Sequence, residues 1–256
     1  MIMAQSHGGG PAPSIPDNEV WYYAPAQVTL YTSTGVVSHT FSDGKGVLTF
    51  ASTVTTINTW LRGTAITKCR MPESTTTLAA NAFNSCSSLT DINLPESISV
   101  INGSAFTGCS SLVIPDLNLP NLTSIAAETF CGYGQSFAQI PHILSVSNLG
   151  RITSLPGNSV YGVFFKQEAL TSVVLPSTLT SIGQNSFNGC ISLTTINLPT
   201  STPPTLASNV FTNTPIASLA ADAAIYVPDE VVDDYKVASG WSTYATIIKP
   251  LSEKPA

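Results

Sequence analysis

Leu89-Thr90-Asp91-Ile92-Asn93-Leu94-Pro95-Glu96-Ser97-Ile98-Ser99-Val100-Ile101-Asn102-Gly103-Ser104-Ala105-Phe106-Thr107-Gly108-Cys109-Ser110-Ser111-Leu112 is the stretch that decides the fold. Counted from Leu89, apolar residues fall at +3 (Ile92), +5 (Leu94), +9 (Ile98), +12 (Ile101), +17 (Phe106) and +20 (Cys109), and a new unit opens at +23 with Leu112. The same spacing begins at Leu170 and passes through Val173, Leu175, Leu179, Ile182, Phe187 and Cys190 to Leu193. Upstream it begins at Ile66 and passes through Cys69, Met71, Leu78, Phe83 and Cys86 to Leu89. Apolar positions repeating at fixed offsets with a period of about 20–30 residues are the mark of a solenoid. No unit of this kind buries its own apolar residues, so successive coils stack and share one core.

Within each unit the x-Ile-x-Leu-Pro segment alternates with period two and reads as a short strand with one face inward. It recurs at Cys69-Arg70-Met71-Pro72, Ile92-Asn93-Leu94-Pro95, Leu117-Asn118-Leu119-Pro120, Val173-Val174-Leu175-Pro176, Ile196-Asn197-Leu198-Pro199 and Ile225-Tyr226-Val227-Pro228. Proline has no backbone N–H for a ladder, so it marks where pairing ends and the coil turns. Stacked in register, these strands form a narrow parallel sheet along one flank. The other apolar positions, the Phe at +17 among them, fill the interior.

The repeated Leu-Thr-x-Ile-x-Leu-Pro, the Ala-Phe or Ser-Phe pairs, and the Cys-Ser-Ser-Leu junctions at Cys86 to Leu89 and Cys109 to Leu112 resemble the BspA-like leucine-rich repeats. The resemblance extends from about Gly44 to the C-terminus. The expected fold is an α/β repeat solenoid: a right-handed leucine-rich-repeat coil with a narrow parallel β-sheet, mostly β and loop. A β-rich N-terminal cap and a short helical C-terminal cap complete it. For function, the resemblance implies adhesin-like recognition of a host protein or glycan; because repeat folds serve many targets, it names no ligand.

The chain divides accordingly. Residues 1–16, rich in Gly, Pro and Ser, read as a flexible arm. Residues 17–61 form the N-terminal cap, with strand-like Glu19 to Ala24, Val28 to Tyr31, Val36 to Phe41 and Val47 to Phe50. In its last part Leu48, Phe50, Val54 and Ile57 already follow the repeat spacing. Residues 62–217 form the solenoid, with a two-residue insertion near Val113-Ile114-Pro115 and irregular insertions at 131–139 and 155–163. Between these two, Ile140, Ile143, Leu149 and Ile152 resume the offsets as a degenerate coil. Residues 218–256 form the C-terminal cap. There Pro228, the acids Asp229 and Glu230, and Val231, Val232 and Tyr235 predict a short helix ended by Gly240.

Charged residues make up only 9% of the chain, against about 25% in ordinary proteins, so the polar surface is built from Ser, Thr and Asn. A net charge of −6 with nine Lys and Arg argues against nucleic acid or an anionic membrane as partner. No stretch approaches the ~20 apolar residues of a membrane span, so no membrane insertion is expected. No signal peptide is visible at Met1 to Gly10, where no cationic segment precedes an apolar run. An extracellular, cell-surface or virion location is expected. The last would be reached by phage assembly, with virion or self-assembly contacts through residues 1–16; a structural or receptor-binding virion component is thus a second reading of function.

Five cysteines are too odd a number for a full disulfide framework. Cys69, Cys86, Cys109 and Cys190 sit at inward repeat positions and read as small apolar residues. Cys86 and Cys109 stack near enough on adjacent coils for a bridge to be conceivable. Cys131, off the register, reads as the exposed one.

Little points to chemistry. A nucleophile needs a base in hydrogen-bond reach, and Cys131 with His142 is the sequence-near pair, without an orienting third group. Asp229, Glu230, Asp233 and Asp234 lack the alternating ligand spacing of a calcium loop and suit a helix N-terminus. No catalytic residue, metal site or cofactor is therefore expected. Binding is the stronger expectation. On each strand the residues between inward positions form a row on one face: Arg70, Asp91, Asn93, Asp116, Asn118, Ser172, Asn197 and Tyr226. A second candidate surface is the inserted loops, with Tyr133, Phe137, Tyr161 and Phe165, since insertions in repeats map to loops on a rigid scaffold.

Overall fold

The computed structural model describes residues 14–131 and 141–255. The expectations placed on residues 1–13, Tyr133, Phe137 and Ile140 therefore fall outside the described residues. The chain forms a parallel-strand β-solenoid of about eight turns, mostly strand and loop. Each turn has three walls, and each wall follows from the repeat.

The first wall is the x-Ile-x-Leu-Pro segment. Lys68–Arg70 pairs in parallel with Asp91–Ile92. Further along, Leu117–Asn118, Ser145–Asn148, Ser172–Val174, Thr195–Asn197 and Ala224–Val227 form a parallel ladder that ends on Ile248–Pro250. Proline then turns the chain: the carbonyls of Pro72, Pro95, Pro176 and Pro228 each accept the N–H of the residue three positions on, at 3.0, 3.0, 3.1 and 3.1 Å. The second wall carries the +12 position. Thr56–Ile57, Thr77–Leu78, Val100–Ile101 and Ser124–Ile125 stack in parallel, as do Ser154–Leu155, Ser181–Ile182 and Thr205–Leu206.

The third wall carries the phenylalanines, which form a continuous file. Phe83, Phe106, Phe130, Phe164, Phe187 and Phe211 stack with centroids 5.5–6.0 Å apart and planes within 12°. The backbone around each ring alternates in hand. The residue two before the ring has positive φ at Asn81, Ser104, Glu128, Asn185 and Asn209, and so has the residue two after it at Ser85, Gly108, Lys166, Gly189 and Asn213. Asn and Gly recur at these places because they tolerate the left-handed region best. This alternation aims N–H groups at the next coil. Asn81, Phe83 and Ser85 donate to the carbonyls of Gly103, Ala105 and Thr107, and Asn185, Phe187 and Gly189 to those of Ser208, Val210 and Thr212.

The cysteines are more than filler. The cysteine three after a ring donates to a carbonyl one coil back: Cys109 Sγ to Phe83 O at 3.1 Å and Cys190 Sγ to Phe164 O at 3.0 Å. Cys86 Sγ donates likewise to Leu61 O at 2.9 Å. In the degenerate coil Gln167 holds this place; its Nε2 reaches Phe130 O at 3.0 Å while its Oε1 accepts the Ile143 N–H at 3.0 Å. All five thiols are free and buried, Cys131 included. The expectation of an exposed Cys131 is thus corrected: it is 2% exposed, and its carbonyl accepts Thr107 Oγ1 at 2.6 Å.

Three other expectations are corrected. The degenerate coil opens at Ile143, three residues later than read, because Val146 pairs with Val173 and Leu155 with Ile182. Leu155 therefore belongs to the second wall and the irregular segment follows it. From Leu155 to Phe164 the chain takes nine residues where Ile182 to Phe187 takes five. Val28 to Tyr31 forms no strand. In the N-terminal cap, Leu48 and Phe50 lie on Lys45–Phe50, which is antiparallel to Glu19–Tyr23, and that strand in turn runs antiparallel to Lys68–Arg70. Parallel repeat stacking begins with Val54 to Ile57: Ser74 Oγ donates to Val54 O, Thr77 N–H to Thr55 O, and Ile57 pairs with Leu78. The cap hairpin turns on Asp43 and Gly44, both at positive φ, as a tight two-residue turn between twisted strands requires.

At the other end a 3-10 turn, Asp229–Val231, runs into the helix Val232–Val237. The fully buried Trp241 closes the file: its ring lies 6.3 Å from Phe211 and its Nε1 donates to Pro204 O at 2.6 Å. No helix of the described residues is long and apolar enough to cross a membrane.

Candidate binding face

Stacking sets the outward residues of the first wall in two columns. One runs through Lys68 and Asp91, then Asp116, Ser145, Ser172 and Thr195; the other through Arg70, Asn93, Asn118, Val174 and Asn197. The columns are held from within. Arg70 donates to Asp91 Oδ2 at 2.5 Å, with Lys68 Nζ 4.0 Å from the same oxygen. That guanidinium hydrogen bond holds the Asp91 carboxyl below the ordinary carboxylate range and pushes Arg70 up. Asp116 accepts Ser145 Oγ at 2.8 Å and Ser147 Oγ at 2.5 Å. Asn93 bridges two coils: its Oδ1 accepts the Met71 N–H at 2.7 Å and its Nδ2 donates to Met71 O at 2.8 Å. Asn118 is exposed, and Ser172 half-buried.

Two predicted positions are not open. Tyr226 is only 6% exposed. It stands in register between Asn197 and Lys249, where the final strand extends the wall. Phe165 is buried, with Tyr161 edge-on to it at 5.5 Å. The exposed apolar residue of that loop is Val160. Asn197 is half-buried, and its Oδ1 is enclosed without a hydrogen-bond partner.

Outward alternation missed a break in the wall. The ladder stops after Asp91–Ile92 and restarts at Leu117–Asn118. In regular coils a threonine N–H reaches back to the previous coil: Thr90 to Thr67 O at 2.9 Å, Thr171 to Leu144 O at 3.0 Å, Thr194 to Thr171 O at 3.1 Å. Pro115 occupies that place in the fourth coil and has no N–H to give. The two coils stay joined elsewhere, through Val100–Ile101 with Ser124–Ile125 and through Phe106 N–H to Thr129 O. They part on the first wall, as a wedge. A cleft of about 390 Å³ opens there, lined among others by Thr90, Ile92, Leu94, Val113, Asp116 and Asn118. The inserted residues make their own small ladder beside it, Val113–Ile114 with His142–Ile143. Pro115 in place of a threonine was the sequence signal for all of this.

The pair read for nucleophilic chemistry is not assembled. No hydrogen bond joins Cys131 to His142, and burial, with Glu128 nearby, pushes the Cys131 thiol up to about 12. Such a thiol stays protonated at neutral pH.

A family model described as "BspA type Leucine rich repeat region" matches in six copies, over residues 35–150 and 158–230. No curated protein matches the chain. Among solved structures, the chain is similar to a leucine-rich repeat protein from Eubacterium ventriosum (17% identity, TM-score 0.43, 62% of this chain and 46% of that one). It is similar also to a leucine rich cell surface protein from Faecalibacterium prausnitzii (22%, TM-score 0.43, 68% and 48%) and to a leucine-rich repeat protein from Bacteroides ovatus (16%, TM-score 0.33, 72% and 54%). The chain spans about half the length of each of these proteins.

Proposed function

The chain belongs to the BspA-type leucine-rich repeat family, and from that premise we propose that it is a non-catalytic recognition module that works at a surface and contacts a protein or glycan through the first wall. The observation that carries this reading is the pair of polar columns held on a rigid flank by Arg70–Asp91, Asp116–Ser145 and Asn93–Met71. Side chains already fixed by the fold lose little freedom on binding, and freedom lost is a main cost of association. The columns mix donors, acceptors and both charge signs, which suits a broad, polar partner more than a small apolar ligand.

The test is an array of purified extracellular proteins and glycans probed with the chain and with the double variant Ser172→Arg/Thr195→Arg. A bulky cation in the centre of the wall is expected to weaken capture at least about tenfold, or ~1.4 kcal/mol. Capture unchanged by this variant and by substitutions elsewhere on the wall would refute the reading.

A further inference from the structure

The wedge between the third and fourth coils exposes what the repeat otherwise hides. Ile92 and Leu94 are inward residues, yet both are only partly buried. Their equivalents are closed: Cys69, Leu117, Val146, Val173 and Ile196 at the first position are at most 1% exposed, and Met71, Leu119, Leu175 and Leu198 at the second are 0% exposed. The core thus reaches solvent through the wall. Val113, 46% exposed, extends this apolar floor outward.

Around the floor stand main-chain groups without their usual mates. The Thr90 carbonyl faces the site where Pro115 supplies no N–H, and no other described residue donates to it. Asp91–Ile92 and Leu117–Asn118 each end a sheet here, so two parallel strand edges flank the opening. A strand edge is a template for another backbone. At the rim, Asp116 is exposed and its two hydroxyl partners leave further acceptor capacity on the carboxylate.

We propose that the wedge is a docking subsite for an extended polypeptide segment of a partner. One N–H of the segment takes the Thr90 carbonyl, an apolar side chain rests on Ile92 and Leu94, and a neighbouring Lys or Arg meets Asp116. The occupant class follows from the lining. Backbone N–H groups at strand spacing and an apolar anchor are what a peptide brings to a sheet edge. A sugar brings hydroxyls and seeks an aromatic face, and among the described residues no aromatic ring lines the wedge. This inference rests on the first wall being the recognition face, and it adds one subsite to that face.

The experiment selects binders to the full chain from a displayed library of random linear dodecapeptides, with a glycan array run in parallel. Selected peptides are expected to share an apolar residue with Lys or Arg one or two positions away. Val113→Arg and Asp116→Lys, both at exposed positions and checked for unchanged melting, are each expected to weaken the peptides at least about tenfold. Val237→Arg, at a residue 80% exposed on the C-terminal helix and away from the first wall, is expected to leave them within about twofold. Methyl NMR shifts of Ile92 and Leu94 on peptide addition report occupancy of the floor. The proposal is overturned if no peptide is selected, if selected peptides ignore both wedge variants, or if glycans bind and are lost with those variants. Array capture abolished by the Ser172/Thr195 variant but not by the wedge variants would keep the broad face and discard the wedge.

Discussion

From Ile66 to Leu112 the chain repeats its apolar spacing without insertion; from Leu112 to Leu170 it inserts, slips and breaks. The phenylalanine file passes through both with hardly a change: 5.6 Å from Phe83 to Phe106 in the first stretch, 6.0 Å from Phe130 to Phe164 in the second, and 5.5 Å from Phe106 to Phe130 where they meet. The walls do change. The first loses a ladder after Asp91–Ile92, and the second loses one after Ser124–Ile125. The lesson concerns where such a fold tolerates change. Inside, neighbouring rings fix each other's height, and a lost ring opens a cavity on two sides. Outside, a missing rung costs one exposed hydrogen bond that water replaces, so a wall can be reshaped while the core stays in register.

The sharpest way to break this contrast is to remove a ring from each stretch. Phe106→Ala and Phe164→Ala are each expected to cost about 3–5 kcal/mol in denaturant unfolding. A loss at Phe164 far below that at Phe106 would show that the irregular coil is only loosely attached to the file.

The next test compares the column behind the rings. Gln167→Leu removes an amide that serves both Phe130 O and the Ile143 N–H, and two buried groups left unsatisfied are expected to cost about 2–4 kcal/mol. Cys190→Ala removes a single weak donor to Phe164 O and is expected to cost about 1–2 kcal/mol. Equal losses would mean that Gln167 does not substitute for the ladder missing around it.

The smallest effect lies in the left-handed column. Ser85, at φ 63°, carries a Cβ that this conformation disfavours, so Ser85→Gly is expected to stabilise by about 0.5–1 kcal/mol. Gly108 holds the same place one coil on, at φ 81°, and a Cβ there would sit 2.9 Å from Ser85 Cα. Gly108→Ala is therefore expected to shift the melting temperature the opposite way.

The architecture was legible because Phe83, Phe106 and Phe187 occur at one fixed offset, and only stacking satisfies such a pattern. What stayed hidden depended on groups that periodicity does not weigh. Ile140 imitates an opening residue, so apolar counting placed the degenerate coil three residues early, where strand pairing selects Ile143. Cys and Gln look unrelated until a shared carbonyl partner shows them to be one column of donors. Asn and Gly two places either side of each Phe were visible signals of the left-handed turns, but an apolar template passes over them. For the binding face, alternation assigns Asp91, Asn118 and Tyr226 alike to the outward row. It carried no information about the burial of Tyr226, which is 6% exposed beside the final strand. The wedge was written in a single letter, Pro115 for threonine, and its meaning depends on knowing which N–H that threonine would have given.

The third wall, finally, gives the rod a direction. Its inter-coil bonds run from Asn81, Phe83 and Ser85 forward to the coil of Phe106, and from Asn185, Phe187 and Gly189 forward to the coil of Phe211. An additional layer spliced in with the same orientation would find carbonyls meeting amides at both of its faces, whereas a layer turned end over end would set like poles together. Growth of such a molecule by tandem duplication preserves this polarity automatically. A lineage built on it can lengthen or shorten by whole coils without redesigning the seam.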